Sequence, residues 1–402
     1  MLDRRTLFSV TAAIGSSIGS FFSGGKAQAA NYTGVNLSPE GDIAPRGVKG
    51  RFERIPDLDL ESQQDFVTGF RTFQQRFRPI VKRRIDQILL DNDLDPKETL
   101  NMEQTVKLVE DDLLVQTSGR TWISNQQITW KTLQDYFHDH ADEYFVEMEA
   151  ADNDGPGTLE LNPNLDIPKY IQHEIHLMPG GYVGDPFAGH VYHFGANSFT
   201  AGVPMLGNNE QDQIQTRMAD RMPLPGDGQV KRILDMGCGY GRWSGALKER
   251  FPDAEVWGID VGGPLVRFAH MRCRDLGVDV NFSQRLAEDT KFPDNHFDIV
   301  TSYIVNHEVP DEFNKQIIAE AYRVTRPGGY FYPLDFKTRG SKGDAYSMYR
   351  RWWDHRWNCE PWSPDFVAFD FEGEIEKAGF TINRETRPVH RGYGARHSVK
   401  IA

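Results

Sequence analysis

Two hydrophobic periods divide the chain. From Ser62, the residues Phe66, Phe70, Phe73, Phe77, Val81, Ile85, Ile88 and Leu89 recur at three- and four-residue spacings. That pattern predicts an amphipathic helix, with Pro79 as a kink. Asp95-Pro96 has the cap and first-turn chemistry of a second helix. A third is expected from Thr129 to about Glu149, ended by D-N-D-G-P-G. Asn208 to Met222 also reads as helical, and P-L-P-G-D-G then marks a boundary. Beyond Val230 the period changes. Short apolar runs (Ile233–Met236, Val256–Ile259, Val278–Phe282, Phe297–Tyr303) alternate with helical segments (Arg242–Phe251, Leu265–Leu276, Asp311–Val324). Such alternation predicts strands of a parallel sheet joined by helices. Glu372–Gly379 reads as a last helix. Phe380–Glu385 and His397–Ile401 read as a closing antiparallel pair.

The first strand leads into I-L-D-M-G-C-G-Y-G-R, residues 233 to 242. Gly237, Gly239 and Gly241 make a turn, since glycine serves where φ is positive or a ligand nears the backbone. Arg242 opens the helix. Dinucleotide enzymes need G-x-G-x-x-G, with pyrophosphate at the helix N-terminus. Here the third glycine comes one residue early, and Asp235 would repel a pyrophosphate. The same carboxylate favours a ligand bearing an ammonium group. Asp260 closes the second strand nineteen residues beyond Gly241, where an acid can accept hydrogen bonds from ribose hydroxyls.

On these residues the chain resembles the class I S-adenosylmethionine (SAM) dependent methyltransferases, whose first motif is acid-x-G-x-G-x-G. A-E-D-T-K-F-P-D-N-H-F-D-I-V-T-S-Y and R-P-G-G-Y-F-Y-P-L-D-F are similar to the later motifs of the ubiquinone and menaquinone methyltransferases. The resemblance covers residues 228 to 402. It implies a Rossmann-like α/β sheet of seven mostly parallel strands, with SAM as the methyl donor. It places the amino-acid end of SAM at Asp235, the ribose at Asp260 and the adenine against Val261 and Ala287, with Glu288 or Asp289 substituting for the family's side-chain contact. Leu286 departs from the family pattern, which has an acid or Asn there. Asn306, His307 and Glu308 follow the fourth strand, and ligands sit beyond the carboxyl ends of such strands. His307 is the expected base, with Tyr303 or Glu308 as alternatives. Residues 339 to 366 carry Tyr346, Tyr349, Trp352, Trp353, Trp357 and Trp362, where the family often builds an acceptor-pocket wall.

Composition adds bounds. The formal net charge is −13, which lacks the basic footprint of a nucleic-acid enzyme. Three cysteines give no disulfide framework. No apolar run is continuous enough to make a stable membrane span. Residues 1–30 hold Arg4-Arg5, a Gly-, Ser- and Ala-rich region and Ala27-Gln28-Ala29. This order resembles a twin-arginine export signal, implying a periplasmic protein; a cytoplasmic one is the alternative. Residues 31–225 read as a mainly helical domain that opens on a Pro/Gly/Asp-rich arm and contains a histidine- and glycine-rich, lid-like segment. There His173 and His176, then His190 and His193, form two H-x-x-H pairs around Asp185. Extended chain would point paired rings to opposite faces, so no residue is assigned to a metal. The expected function is methyl transfer from SAM to a small aromatic or apolar acceptor. The alternatives are a non-catalytic SAM-binding protein and a metal-dependent enzyme using the His173–His193 cluster.

Overall fold

In the computed structural model the described residues are 57–199, 211–338, 340, 342–394 and 396–401. The expected signal at residues 1–30 lies outside them, as does the arm up to residue 56. Residues Arg46–Ala402 form one compact unit.

The front of the chain is helical: α1 (Leu58–Gln75), α2 (Arg78–Asp91), α3 (Met102–Val109), α4 (Leu113–Asp139) and α5 (Ala141–Ala151). Pro79 does not kink a long helix. It sits in the first turn of α2, where its missing N–H costs nothing. Asp95-Pro96 lies in the turn ahead of α3. The cap of α3 is Asn101, whose side chain accepts from Gln104 N while the Gln104 side chain accepts from Asn101 N. The expected third helix is two, parted at His140.

The phenylalanine face expected to be buried on α1 is outside: Phe66 is 75 % exposed and Phe73 48 %. Leu60, Gln64, Val67 and Arg71 face inward instead. The inward face is held by polar contacts to α4, with Arg71 Nε donating to Asn125 Oδ1 at 2.8 Å and Gln64 Nε2 to Thr132 Oγ1 at 2.7 Å. Buried polar groups require such partners, and here they outweigh the apolar periodicity.

The sheet has eight strands: β1 (Leu159–Glu160), β2 (Arg232–Met236), β3 (Glu255–Asp260), β4 (Asn281–Gln284), β5 (Phe297–Tyr303), β6 (Thr325–Leu334), β7 (Phe380–Ile382) and β8 (Ser398–Lys400). Their spatial order is β1-β4-β3-β2-β5-β6-β8-β7, with β8 antiparallel to both neighbours and the other pairs parallel. The seven expected strands are present, and β1 adds an eighth from the front of the chain. Every residue of β5 except Tyr303 is buried, as expected where helices cover both faces. The order reverses at β2, which lies between β3 and β5. This is the switch point where open α/β sheets bind ligands.

Three more helices matter for the site: α6 (Ala188–Phe199), α7 (Gln211–Ala219) and α8 (Arg242–Arg250). The tryptophan-rich insertion folds as α9 (Ala345–Trp357). Trp353 lies edge-on to Trp122 of α4, ring centroids 4.2 Å apart, in a core with Val81, Ile85 and Leu89 of α2. The insertion therefore fastens the sheet's later connections to the front helices. Trp353→Ala removes a side chain only 2 % exposed. It should cost about 3–5 kcal/mol, read as a lower urea midpoint by circular dichroism.

Candidate functional site

The turn after β2 is tied to the end of β3. The N–H groups of Gly237 and Cys238 both donate to Ile259 O, each at 2.8 Å. Gly239 N donates to Asp260 Oδ2 at 2.9 Å, and Gly262 N to Asp260 Oδ1 at 2.8 Å. Gly241 has φ +82, and a Cβ there would stand 2.8 Å from the Ala269 Cβ and 2.9 Å from the Phe282 ring. No larger residue fits. At Gly239, by contrast, an added Cβ meets nothing within 4 Å, so the backbone is open to a close-approaching ligand.

That open side faces a cavity of about 360 Å³, within the range of small-molecule sites. Of the residues expected from sequence, Gly237, Gly239, Arg242, Asp260, Val261, Ala287, Tyr303 and Glu308 line it. Asp235, Gly241, Glu288 and His307 are not among its lining residues. Gly241 closes the turn behind it. Glu288 accepts from the hydroxyl of Tyr170, a lining residue, at 3.2 Å. Arg242 Nη1 donates to the Tyr240 hydroxyl at 2.8 Å and Nη2 to Gln215 Oε1 at 3.1 Å.

The two acids of the motif differ in position. Asp235 is fully buried behind the turn, with Ser244 Oγ donating to Oδ2 at 2.6 Å and Oδ1 without a hydrogen-bond partner. Burial pushes its carboxyl up to about 7; the Ser244 hydroxyl opposes this, and the Asp260 charge adds to it. Burial also raises Asp260, to about 6, against the N–H groups of Gly262 and Gly239 and with help from Glu308. An ionised carboxylate has about four lone-pair sites, and Asp260 spends two on the backbone, leaving the rest for ligand hydroxyls. Two desolvated carboxylates beside one turn favour a cationic ligand.

His307 sits in a turn, Asn306–Glu308, pinned to the end of β6. Asn306 N donates to Asp335 Oδ2 at 2.7 Å, and His307 Nδ1 bonds Asp335 Oδ1 at 2.9 Å. Burial alone would lower the imidazole, but the nearby carboxylates of Asp335, Glu360 and Glu308 hold it up at about 10. A ring that keeps its proton at neutrality is not poised to accept another. Glu308 reaches the cavity itself, and Tyr182 Oη donates to its Oε1 at 3.4 Å. The Tyr303 hydroxyl faces Tyr393 Oη at 3.2 Å and accepts from Gln215 Nε2 at 3.4 Å; burial raises it.

The four expected histidines do not meet. His190 and His193 lie on α6, not in extended chain, among Phe137, Phe187, Phe194 and Phe268. Burial pushes His190 down to about 3 and His193 well below the ordinary value. Asp185 is engaged by Phe187 N at 2.7 Å and His138 Nε2 at 2.9 Å. His176 lies beside Glu360, its Nδ1 3.0 Å from Glu360 Oε1.

Several lining residues carried no sequence signal. Tyr170, Tyr182 and Tyr192 come from the front of the chain, and Phe336 and Tyr393 from beyond β6. Tyr182 and Tyr192 lie within the histidine- and glycine-rich stretch, whose unusual composition was the available hint. The tryptophans of the insertion are absent from the lining, which corrects their expected role as acceptor wall.

Comparison with known proteins agrees with this geometry. Residues 233–329 match the family described as a methyltransferase domain. The matched segment runs from β2 into β6 and includes the glycine turn. The chain is 31 % identical over 140 residues to a fatty-acid O-methyltransferase of Mycolicibacterium smegmatis, covering 34 % of this chain and 49 % of that one. It is 36 % identical over 121 residues to a demethylmenaquinone methyltransferase of Thermus thermophilus, covering 30 % and 54 %. It thus spans about half the length of the curated relatives it matches. Among solved structures, one described as a putative methyltransferase from Bacillus halodurans is 24 % identical, covering 42 % of this chain and 70 % of that one, with a TM-score of 0.35.

The raised acid behind the turn gives a test. A carboxyl at about 7 in the folded chain and near 3.8 unfolded binds more protons when folded. Its contribution to stability therefore falls as pH rises from about 4 to 7 and is level above that. Asp235→Asn keeps an acceptor for Ser244 and removes this loss. The variant should gain on the wild type by up to about 1.4 kcal/mol per pH unit in that window. Urea unfolding at pH 5, 6 and 8 reads the difference; a gap independent of pH would contradict the assignment.

Proposed function

We propose that this protein transfers the methyl group of SAM to a small acceptor with an apolar or aromatic body. The observation that carries the reading is one cavity shared by the open Gly239 backbone, the Asp260 carboxylate and Glu308. The residues present fit SAM: an approachable backbone, a carboxylate with free lone pairs for the ribose, and buried negative charge near a sulfonium and an ammonium. Tyrosines 170, 182, 192, 240, 303 and 393 supply faces that attract a cation and an apolar surface for the acceptor. The relatives named above act, by their names, on a fatty acid and on demethylmenaquinone, both largely apolar.

In the reaction the acceptor's lone pair forms a bond to the methyl carbon while the carbon–sulfur bond breaks. Sulfur keeps that electron pair and leaves as a thioether. The protein's main contribution is to align donor and acceptor. A protic acceptor also loses a proton, and Glu308 is the carboxylate besides Asp260 in the lining. His307 holds the turn that carries Glu308.

Calorimetry with SAM and incubation with methyl-labelled SAM and a lipid-soluble extract test the proposal. Wild type should bind SAM and label an extractable product. Asp260→Asn should weaken SAM binding at least about tenfold, by loss of a charge-assisted hydrogen bond. Glu308→Gln should keep SAM affinity and lose about 10²-fold or more in kcat. SAM binding without any labelled product would leave a binding protein instead.

We further propose export by the twin-arginine route, supported by the order of Arg4-Arg5, apolar stretch and Ala27-Gln28-Ala29. Replacing both arginines with lysine should shift the protein from the periplasmic to the cytoplasmic fraction. Equal fractionation of the two forms would refute it.

A further inference from the structure

At the edge of the cavity two segments far apart in sequence bring ionisable groups together. The ligand-capable atoms of His307, Glu308 and Glu360 lie within 4.8 Å of one another. His307 Nε2 is 3.9 Å from Glu308 Oε1 and 3.8 Å from Glu360 Oε2. These separations are too long for hydrogen bonds. They lie close to the roughly 3.4 Å between neighbouring ligand atoms around an ion with bonds of about 2.0–2.2 Å. Glu360 is 7 % exposed, and its Oε2, the oxygen facing His307, has no hydrogen-bond partner. A buried carboxylate oxygen left so is costly unless something of opposite charge meets it.

The surroundings are arranged as they are around metal ligands. The other nitrogen of His307 is held by Asp335 at 2.9 Å, which directs Nε2 at the two glutamates. A carboxylate behind a ligating imidazole is the usual device for fixing its orientation. His176 braces the opposite side, with Nδ1 3.0 Å from Glu360 Oε1 and Nε2 3.7 Å from Glu308 Oε1. Non-glycine residues with left-handed backbone stand in or beside each segment: His176 (φ 53), Ile304 (φ 57) and Cys359 (φ 54). Such strain persists where surrounding structure requires it.

We propose that His307, Glu308 and Glu360 bind one divalent transition-metal ion, zinc or manganese in class, at the edge of the cavity. One imidazole and two carboxylates make a mixed nitrogen and oxygen set that suits those ions, and the ion would displace the proton that His307 Nε2 carries without it. Three protein ligands leave a position open, as in catalytic sites. Its relation to the cavity rests on the methyl-transfer reading. Glu308 lines the same cavity as Asp260, so the open position would take an oxygen of the acceptor; with the ion bound, Glu308 would act as its ligand and the ion would ease loss of the acceptor's proton. That favours acceptors bearing a hydroxyl or carboxylate oxygen over those bearing only carbon or sulfur nucleophiles. The segment His173–His193 contributes to this site through His176, behind the glutamates, and through the Tyr182 hydroxyl on Glu308.

The test uses the full chain without an affinity tag, stripped with a chelator and dialysed against Zn²⁺ or Mn²⁺. Metal content is read by mass spectrometry. Co²⁺ is added separately, and its visible spectrum is recorded. Wild type should hold one ion per chain, and Co²⁺ should show the bands of a low-coordinate nitrogen and oxygen site. Glu360→Gln, checked for folding by circular dichroism, should lose the ion. Asp335→Asn should bind it about 10–100-fold more weakly. Equal metal content in wild type and Glu360→Gln overturns the proposal, and so does a Co²⁺ spectrum unchanged from the hydrated ion. SAM titration of the same samples separates the two readings. SAM binding without metal binding removes only the ion; metal binding without SAM binding removes only the methyl-transfer reading.

Discussion

Two N–H groups on one carbonyl oxygen hold the centre of this molecule together. Gly237 and Cys238 both donate to Ile259 O, and the next free donor, Gly239 N, reaches Asp260. These three bonds tie the turn after β2 to the end of β3. They satisfy backbone groups that would otherwise be buried without partners, and they hold the Asp260 carboxylate at the cavity. The glycines follow from this constraint. At Gly241 a side chain would strike Ala269 and Phe282, so α8 could not start so close to the sheet.

The turn makes one side of the cavity together with Tyr303, Glu308, Phe336 and Tyr393, and the front of the chain closes the other. Tyr170, Tyr182 and Tyr192 close over the carboxyl ends of the strands, while α9 fastens the later chain to α2 and α4 through Trp353. Strand β1 extends the sheet from the same front region, with Leu159 paired to Phe282. Front and sheet thus share a core and a cavity. Buried acids concentrate around the turn and the cavity. Asp235, Asp260, Glu308 and Glu360 are all at least nine-tenths buried or line the cavity, and such a concentration of negative charge calls for cationic ligands.

The sheet was legible because its signals are local. Apolar runs, helix stops and the glycine turn each lie within a few residues, and the seven strands fell at or within about three residues of their expected places, β4 starting at Asn281 instead of Val278. The acid at the end of β3 was legible for the same reason. The front was less so. The phenylalanines of α1 have helical spacing yet face outward, because Arg71 and Gln64 find polar partners on α4. Period alone does not say which of two helical faces is covered. His307 was found through its place after β5, but its character depends on Asp335, Glu308 and Glu360. Of these only Glu308 is its neighbour in sequence. Tyr170, Tyr182, Tyr192, Tyr393 and Glu360 are brought in by tertiary contacts, which no motif records.

The central claim is that Asp260 and the Gly237–Gly241 turn hold SAM with its reacting end toward Glu308. A crystal structure with S-adenosylhomocysteine tests it most directly. The account predicts the ribose hydroxyls on the Asp260 carboxylate, the product's backbone contact at Gly239, and the sulfur on the side of the cavity lined by Tyr182 and Glu308. A ligand bound elsewhere, or bound here with Asp260 making no contact to the ribose, would contradict it.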